Sequence, residues 1–125
     1  MNLLLDTHAL IWALENNPTL DDRARTAIID GHNLVFVSAA TAWEISIKRA
    51  LGKLEAPDNL LEEIEAHRFT LLDMTARHAD AAGRLPAIHA DPFDRMLVAQ
   101  AQSEKLVLVT RDEFIPQYAV RCLKA

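Results

Sequence analysis

At 125 residues the chain has the length of one ordinary domain, enough to bury a core without a disulfide or structural metal. Half of it is hydrophobic and a quarter is charged, which excludes a disordered chain. Its 18 acids outnumber its 13 bases, for a formal net charge of −5, which speaks against a protein that coats nucleic acid with a basic surface.

The apolar run Leu3-Leu4-Leu5, closed by Asp6, predicts a buried first strand. A helix is expected from Thr7 to about Glu15, stopped by Asn16-Asn17-Pro18. Thr19 and Asp22 offer a capping box for a second helix ending at Gly31. Leu34-Val35-Phe36-Val37 is the clearest strand, and Ser38 is placed to cap a helix running to Leu51. Pro57-Asp58 opens a further short helix to about His67, followed by a strand over Phe69–Leu72 and a helix from Thr75 to about Arg84.

Asp91-Pro92 is a strong helix start, with Asp as N-cap and Pro at the first helical position. That helix should run to about Glu104. Leu106–Val109 is a fourth strand, Glu113–Tyr118 one helical turn, and Val120–Leu123 a fifth strand. Strands alternating with helices define one α/β domain over residues 1–125, a parallel sheet covered by helices on both faces. Cys122 is the only cysteine, which excludes an internal disulfide and a thiolate zinc cluster, and its apolar setting reads as inert core. No run is long enough for a membrane span, and Asp6 comes too early for a signal peptide, so a reducing cytoplasm is the expected location.

Four acids stand out by position. Ligands of open α/β folds bind beyond the carboxyl ends of the strands, where Asp6 and Asp112 fall. At ~100° per residue, Asp94 lies inside the apolar arc of Phe93, Leu97, Ala101 and Val98. In the helix after Ser38, Trp43, Ile47, Ala50 and Leu51 form the expected buried stripe, with Glu44 at its edge. Each acid also has a plainer role: Asp94 favours a helix dipole, Asp112 can cap the following turn, and Glu44 at a stripe edge can be solvated. Carboxylates that converge in low dielectric need a compensating cation, and hard oxygen ligands suit Mg²⁺ or Mn²⁺.

The segments Leu4-Leu5-Asp6-Thr7-His8, Thr41-Ala42-Trp43-Glu44-Ile45, Asp91-Pro92-Phe93-Asp94-Arg95 and Leu108-Val109-Thr110-Arg111-Asp112 occur in the order seen in PIN-domain proteins. More closely, the chain resembles the VapC toxins of VapBC toxin–antitoxin pairs, over essentially its whole length. The resemblance implies a three-layer α/β/α sandwich around a parallel sheet and a Mg²⁺- or Mn²⁺-dependent endoribonuclease. It places the family's acids on Asp6, Glu44, Asp94 and the more variable Asp112, with Asp91 as an extra acid that reads mainly as an N-cap. Asp6 and Asp94 are then the primary metal ligands, Glu44 and Asp112 completing the site directly or through water. A metal-activated water would attack an RNA phosphodiester in line, leaving a 5′-phosphate and a 3′-hydroxyl.

Thr7 and Thr110 are placed by sequence to orient a carboxylate or a water, beside Asp91. Nine of the 13 bases are Arg; Arg111 and Lys48 are the candidates for RNA contact, each also readable as an exposed charge, whereas Arg95 points to the polar side and reads as solvated. His89 reads as a loop histidine rather than as one of a metal pair. The resemblance further implies a VapB-type antitoxin that covers the acidic groove, a toxin homodimer within the complex, and operator DNA contacted only through the antitoxin. No membrane association is expected.

Two other readings fit parts of the chain. A receiver-like signalling domain would use Asp73 as phospho-acceptor and Thr110 as switch hydroxyl, but leaves Glu44 and Asp94 unexplained. A non-catalytic PIN-like interaction module is the other, against which the complete acid set stands. The charge balance bears on this: setting the four site acids aside leaves 14 acids against 13 bases, so the net acidity is largely the candidate site itself. A protein that cuts RNA through metal ions remains compatible with it.

Overall fold

A computed structural model of the chain describes residues Met1 to Ala125. Five strands, β1 (Asn2–Leu5), β2 (Leu34–Ser38), β3 (Thr70–Leu72), β4 (Val107–Thr110) and β5 (Cys122–Lys124), form one sheet in the order β3-β2-β1-β4-β5. Every neighbouring pair is parallel. Six helices connect them: α1 (Thr7–Glu15), α2 (Asp22–Ile29), α3 (Ala39–Ala50), α4 (Leu60–Ala66), α5 (Ala76–Arg84) and α6 (Pro92–Glu104), with a 3₁₀ turn at Ile115–Gln117.

The central strands are apolar except at their ends, Asn2, Ser38 and Thr110, because both faces are covered. Their side chains alternate between two cores. Leu3, Leu5, Val35, Val37, Val107 and Val109 pack against one cluster from α1, α2 and α4, including Leu10, Ile28 and Ile64. Leu4 and Leu108 turn the other way, against Leu97, Val98 and Ala101 of α6 and against Ile115 and Tyr118. The three-layer α/β/α arrangement follows from that alternation, and no helix is long and apolar enough to cross a membrane.

Local signals set most boundaries. Ser38 accepts from the Ala40 N–H at 3.0 Å, and Thr75 forms a reciprocal capping box with His78. Two α-helix starts differ from expectation, and β5 covers Cys122–Lys124 rather than Val120–Leu123. The cap of α2 is Asp21, which accepts from the Arg23 N–H at 2.9 Å, rather than Thr19, because Leu20 must first turn into the core. Pro57-Asp58 does not open α4, which begins at Leu60; Asp58 pairs instead with Arg49 of α3.

The stripe expected on α3 is also corrected. Its buried residues are Ala40, Thr41, Glu44 and Ile45, whereas Trp43 and Leu51 are exposed. The helix approaches its neighbours through short side chains: Ala40 packs with Ala82, Met96 and Ala99 while Ile45 joins the opposite core, and this rotation carries Glu44 inward. Trp43 lies edge-on to Phe93 of α6, with centroids 5.5 Å apart. Cys122 is not a core residue; it is exposed on edge strand β5, where partial shelter of the sulfur pushes its thiol pKa up.

The topology places a crevice. From β1 the chain steps outward to β2 and β3, then crosses to β4 on the other side of β1. The carboxyl ends of β1 and β4 therefore diverge into connections that leave in opposite directions, opening a gap at the sheet's edge.

Candidate metal centre

The gap is a cleft of about 390 Å³, lined by Asp6, Glu44, Asp91, Asp94 and Asp112 together with Thr7, Lys48 and Arg111. Every acid singled out in the sequence thus reaches one place from a separate element. Asp6 follows β1, Glu44 projects from α3, Asp94 from the first turn of α6, and Asp112 from the segment after β4.

Asp6 is 8 % exposed, and its Oδ1 accepts from the Ala9 N–H at 2.9 Å, so it also caps α1. Burial raises its pKa, opposed by the Thr110 hydroxyl and the Ala9 N–H. Glu44, expected at a solvated edge, is buried. The Thr7 hydroxyl donates to its Oε1, and Lys48 Nζ lies 2.6 Å from its Oε2. That hydrogen bond raises the Lys48 pKa.

Asp94 is the most perturbed group: its pKa is pushed up to about 7, first by burial and then by the Asp91 charge, with His89 opposing. Asp91 is the N-cap expected of it, its Oδ1 accepting from Phe93 N at 2.8 Å and Asp94 N at 3.2 Å. We expect Asp91→Ala to act in two directions. Losing the cap should cost α6 about 1 kcal/mol, while removal of the neighbouring charge should bring the Asp94 pKa down toward the ordinary carboxylate range. Thermal melts across pH, with carboxyl-carbon NMR of Asp94, measure both.

Asp112 makes the turn cap that its position allows, Oδ1 accepting from Phe114 N at 2.8 Å and Ile115 N at 3.0 Å. Burial pushes its pKa up, but these N–H groups and His89 outweigh that and hold it below the usual range. Thr110 Oγ1 accepts from the Asp112 N–H at 3.0 Å, so this hydroxyl tethers the Asp112 backbone while lying beside Asp6.

His89 is not the ordinary loop residue that its sequence position suggests: its Nε2 lies 3.0 Å from Asp94 Oδ2 and 3.0 Å from Asp112 Oδ2. Its proximity to Asp91 in sequence was the only signal. Arg95 is likewise not a solvated arginine. Its guanidinium donates to the carbonyls of Ala82, Leu85, Pro86 and His89 and to the Tyr118 hydroxyl, tying down the segment between α5 and α6. Arg111 lies over the Trp12 ring at 4.6 Å and donates to Thr19 O and to Ala125 O, which places it at the rim. Asp73, the receiver-type phospho-acceptor, ends edge strand β3 with β2 between it and β1. It is exposed and does not join Asp6, so the receiver arrangement is absent.

These groups fit a divalent cation. Five carboxylates share one cleft, and two of them have their charged forms disfavoured by burial and by neighbouring acids: Asp6 by Glu44, and Asp94 by Asp91, Asp112 and Asp6. An ion with hard oxygen preference relieves that repulsion where Lys48 alone does not.

A five-stranded parallel α/β/α sandwich with acids gathered at the β1–β4 crevice has a known counterpart. The family model of the PIN domain matches residues 3–120, and the chain belongs to that family. Among solved structures it is similar to a chain of VapBC2 from Rickettsia felis bound to a DNA fragment from the promoter, with a TM-score of 0.72, 16 % identity and 98 % of each chain covered. It is also similar to a chain of DNA-bound VapBC from Salmonella typhimurium (0.71, 22 %, 98 % and 97 %) and of FitAcB from Neisseria gonorrhoeae (0.63, 20 %, 98 % and 96 %). No match is found among curated proteins.

Proposed function

We propose that the chain is the toxin of a type II toxin–antitoxin pair, a Mg²⁺- or Mn²⁺-dependent endoribonuclease acting from the β1–β4 crevice. The observation that carries this reading is the convergence of Asp6, Glu44, Asp91, Asp94 and Asp112 in one cleft of a PIN domain. Asp6 and Asp94 would be the primary ligands of the ion, with Glu44 and Asp112 completing the site directly or through water. A divalent ion bound there supplies water activation and charge stabilisation for in-line displacement at a phosphodiester.

The remaining steps belong to the chain's own groups. Thr7 fixes Glu44 by hydrogen-bonding Oε1, and Lys48 neutralises Oε2, which leaves that carboxylate held on both sides. Thr110 steadies both Asp6 and the Asp112 backbone. Lys48 and Arg111 flank the acids and would face RNA phosphates, and Arg111 is already oriented by Trp12 and two carbonyls. No side-chain nucleophile is needed; with water as nucleophile and the 3′ oxygen as leaving group, the products should carry a 5′-phosphate and a 3′-hydroxyl.

The partner we propose is a VapB-type antitoxin covering this cleft, within a complex that pairs two toxin chains and touches operator DNA through the antitoxin alone. Its support is that two of the similar structures are of VapBC bound to DNA, one of them to a promoter fragment. The expected location is the cytoplasm. Purified protein should cut RNA with Mg²⁺ or Mn²⁺, stop on chelation and restart on metal addition. Cleavage products whose 5′ ends accept no ligation without prior kinase treatment would contradict the mechanism. A non-catalytic module would show no turnover with either ion.

A further inference from the structure

His89 sits between two site acids, and its hydrogen bonds determine what it does there. Three ligand atoms, from His89, Asp94 and Asp112, lie within 4.8 Å of one another, a spacing that by itself would suit a metal held by all three. The ring's other side argues against it. His89 Nδ1 lies 3.1 Å from the Asp91 N–H, which can only donate, so Nδ1 is the acceptor and the ring proton resides on Nε2. A metal-bound histidine has the reverse pattern, its second nitrogen donating to a carboxylate or carbonyl.

The Nε2–H has a partner. It donates to Asp112 Oδ2 with hydrogen-bond geometry, while Asp94 Oδ2 lies beside the same nitrogen at 3.0 Å. Asp112 is thereby engaged at both oxygens, Oδ1 by the Phe114 and Ile115 N–H groups and Oδ2 by His89. The ring is held from outside the cleft as well. The Tyr118 hydroxyl accepts from the His89 N–H at 2.8 Å and donates to Pro86 O at 3.0 Å, Arg95 reaches both segments, and Phe114 packs on the ring at 5.4 Å.

We propose that His89 is a positioning residue whose Nε2–H fills the gap between Asp94 and Asp112. The cleft then holds one divalent ion, on its Asp6–Asp94 side, and none between Asp94 and Asp112. This rests on the metal-dependent reading above and adds to it the number of ions and the duty of Asp112, which is to hold His89 rather than to ligate.

Two measurements on the full chain test this. Mn²⁺ titration followed by the electron paramagnetic resonance of free Mn²⁺ should give one bound ion per chain. His89→Ala should open the Asp94–Asp112 gap and bind a second, weaker ion, while His89→Gln, which keeps an amide N–H donor, should stay at one. Nitrogen-15 spectra of histidine-labelled protein should show Nδ1 unprotonated and Nε2 protonated both without metal and with saturating Mg²⁺. Two ions on the native chain, an unchanged single ion in folded His89→Ala, or loss of the Nε2 proton on adding Mg²⁺ each overturns the proposal. If His89→Ala fails to fold, the native stoichiometry and the nitrogen spectra still decide. Failure of the underlying reading looks different: the native chain would bind no Mn²⁺, or would keep its ion in Asp94→Ala.

Discussion

Asp94→Asn should abolish metal-dependent cleavage while making the metal-free protein more stable. The two effects share one cause. Asp94 is placed where burial, Asp91, Asp112 and Asp6 all oppose its charge, so its pKa rises from 3.8 to about 7. In the unfolded chain it titrates near its ordinary value. Between roughly pH 4 and pH 7 the folded state therefore binds the extra proton. This contribution to stability is fully present below the unfolded pKa and is lost as pH rises through about 7.

Carried by Asp94 alone, the rise from 3.8 to about 7 would correspond to about 4 kcal/mol. The repulsion is shared among neighbouring acids, so about half of that is a fairer expectation, or about 5–10 °C in melting temperature for a domain of this size. Metal-free native protein should thus melt higher at pH 5 than at pH 8. Asp94→Asn should flatten that difference and melt above the native chain at pH 8. Added Mg²⁺ should restore stability to the native chain at pH 8 and leave the variant unchanged. Cleavage should fall by on the order of 100-fold or more, the scale of losing charge stabilisation in the transition state. A variant that cuts RNA with unaltered Mg²⁺ dependence would remove Asp94 from the site.

Arg95→Ala carries the second large effect, and it is one of stability first. This side chain serves four carbonyls and the Tyr118 hydroxyl, which itself bonds His89 N and Pro86 O. Truncation leaves several sheltered acceptors without a partner and releases the segment that carries His89. Each orphaned acceptor costs about 1 kcal/mol or more, and with some recovery by water a total loss of about 3 kcal/mol is expected. Arg95→Lys should recover little, because an ammonium cannot span a planar set of acceptors. Urea unfolding gives the loss in stability. Hydrogen exchange should show faster opening at residues 85–91 than in the central strands, and protection unchanged at those amides would contradict the clamp.

The two variants also separate position from chemistry. Asp94→Asn alters charge in the cleft with little change of shape, whereas Arg95→Ala alters the frame around His89 and leaves every acid in place. A mild activity loss in Arg95→Ala alongside a severe one in Asp94→Asn is the expected pattern.

Much of this arrangement was legible along the chain. The apolar runs Leu3-Leu4-Leu5 and Leu34–Val37, the Ser38 and Asp91 caps, and Pro92 at a helix start are properties of neighbouring residues, and they define the α/β order. Asp6 and Asp112 stood out at the carboxyl ends of strands and Asp94 inside an apolar arc, although Asp94 and Asp112 each had a plain helix-start or capping role as well. The side of a helix that faces the protein is a different matter. It depends on what packs against the helix, so the α3 stripe was misjudged, and Trp43 and Glu44 exchanged their expected places. Arg95 looked solvated for the same reason: a helical wheel carries no information about the α5–α6 segment folding over it.

What the sequence by itself determined was therefore local: element order, most caps and the identity of the acids that had to meet. The tertiary structure decided their relations. Parallel strand order brought the ends of β1 and β4 together, placing Asp6 and Asp112 at one crevice although they are far apart in the chain. It also set His89 between Asp94 and Asp112, a contact built by Tyr118 from one segment and by Arg95 and the Asp91 N–H from the start of α6. Periodicity reports what one element must bury. Only packing reports which side chains, from which elements, share the space where charge becomes costly.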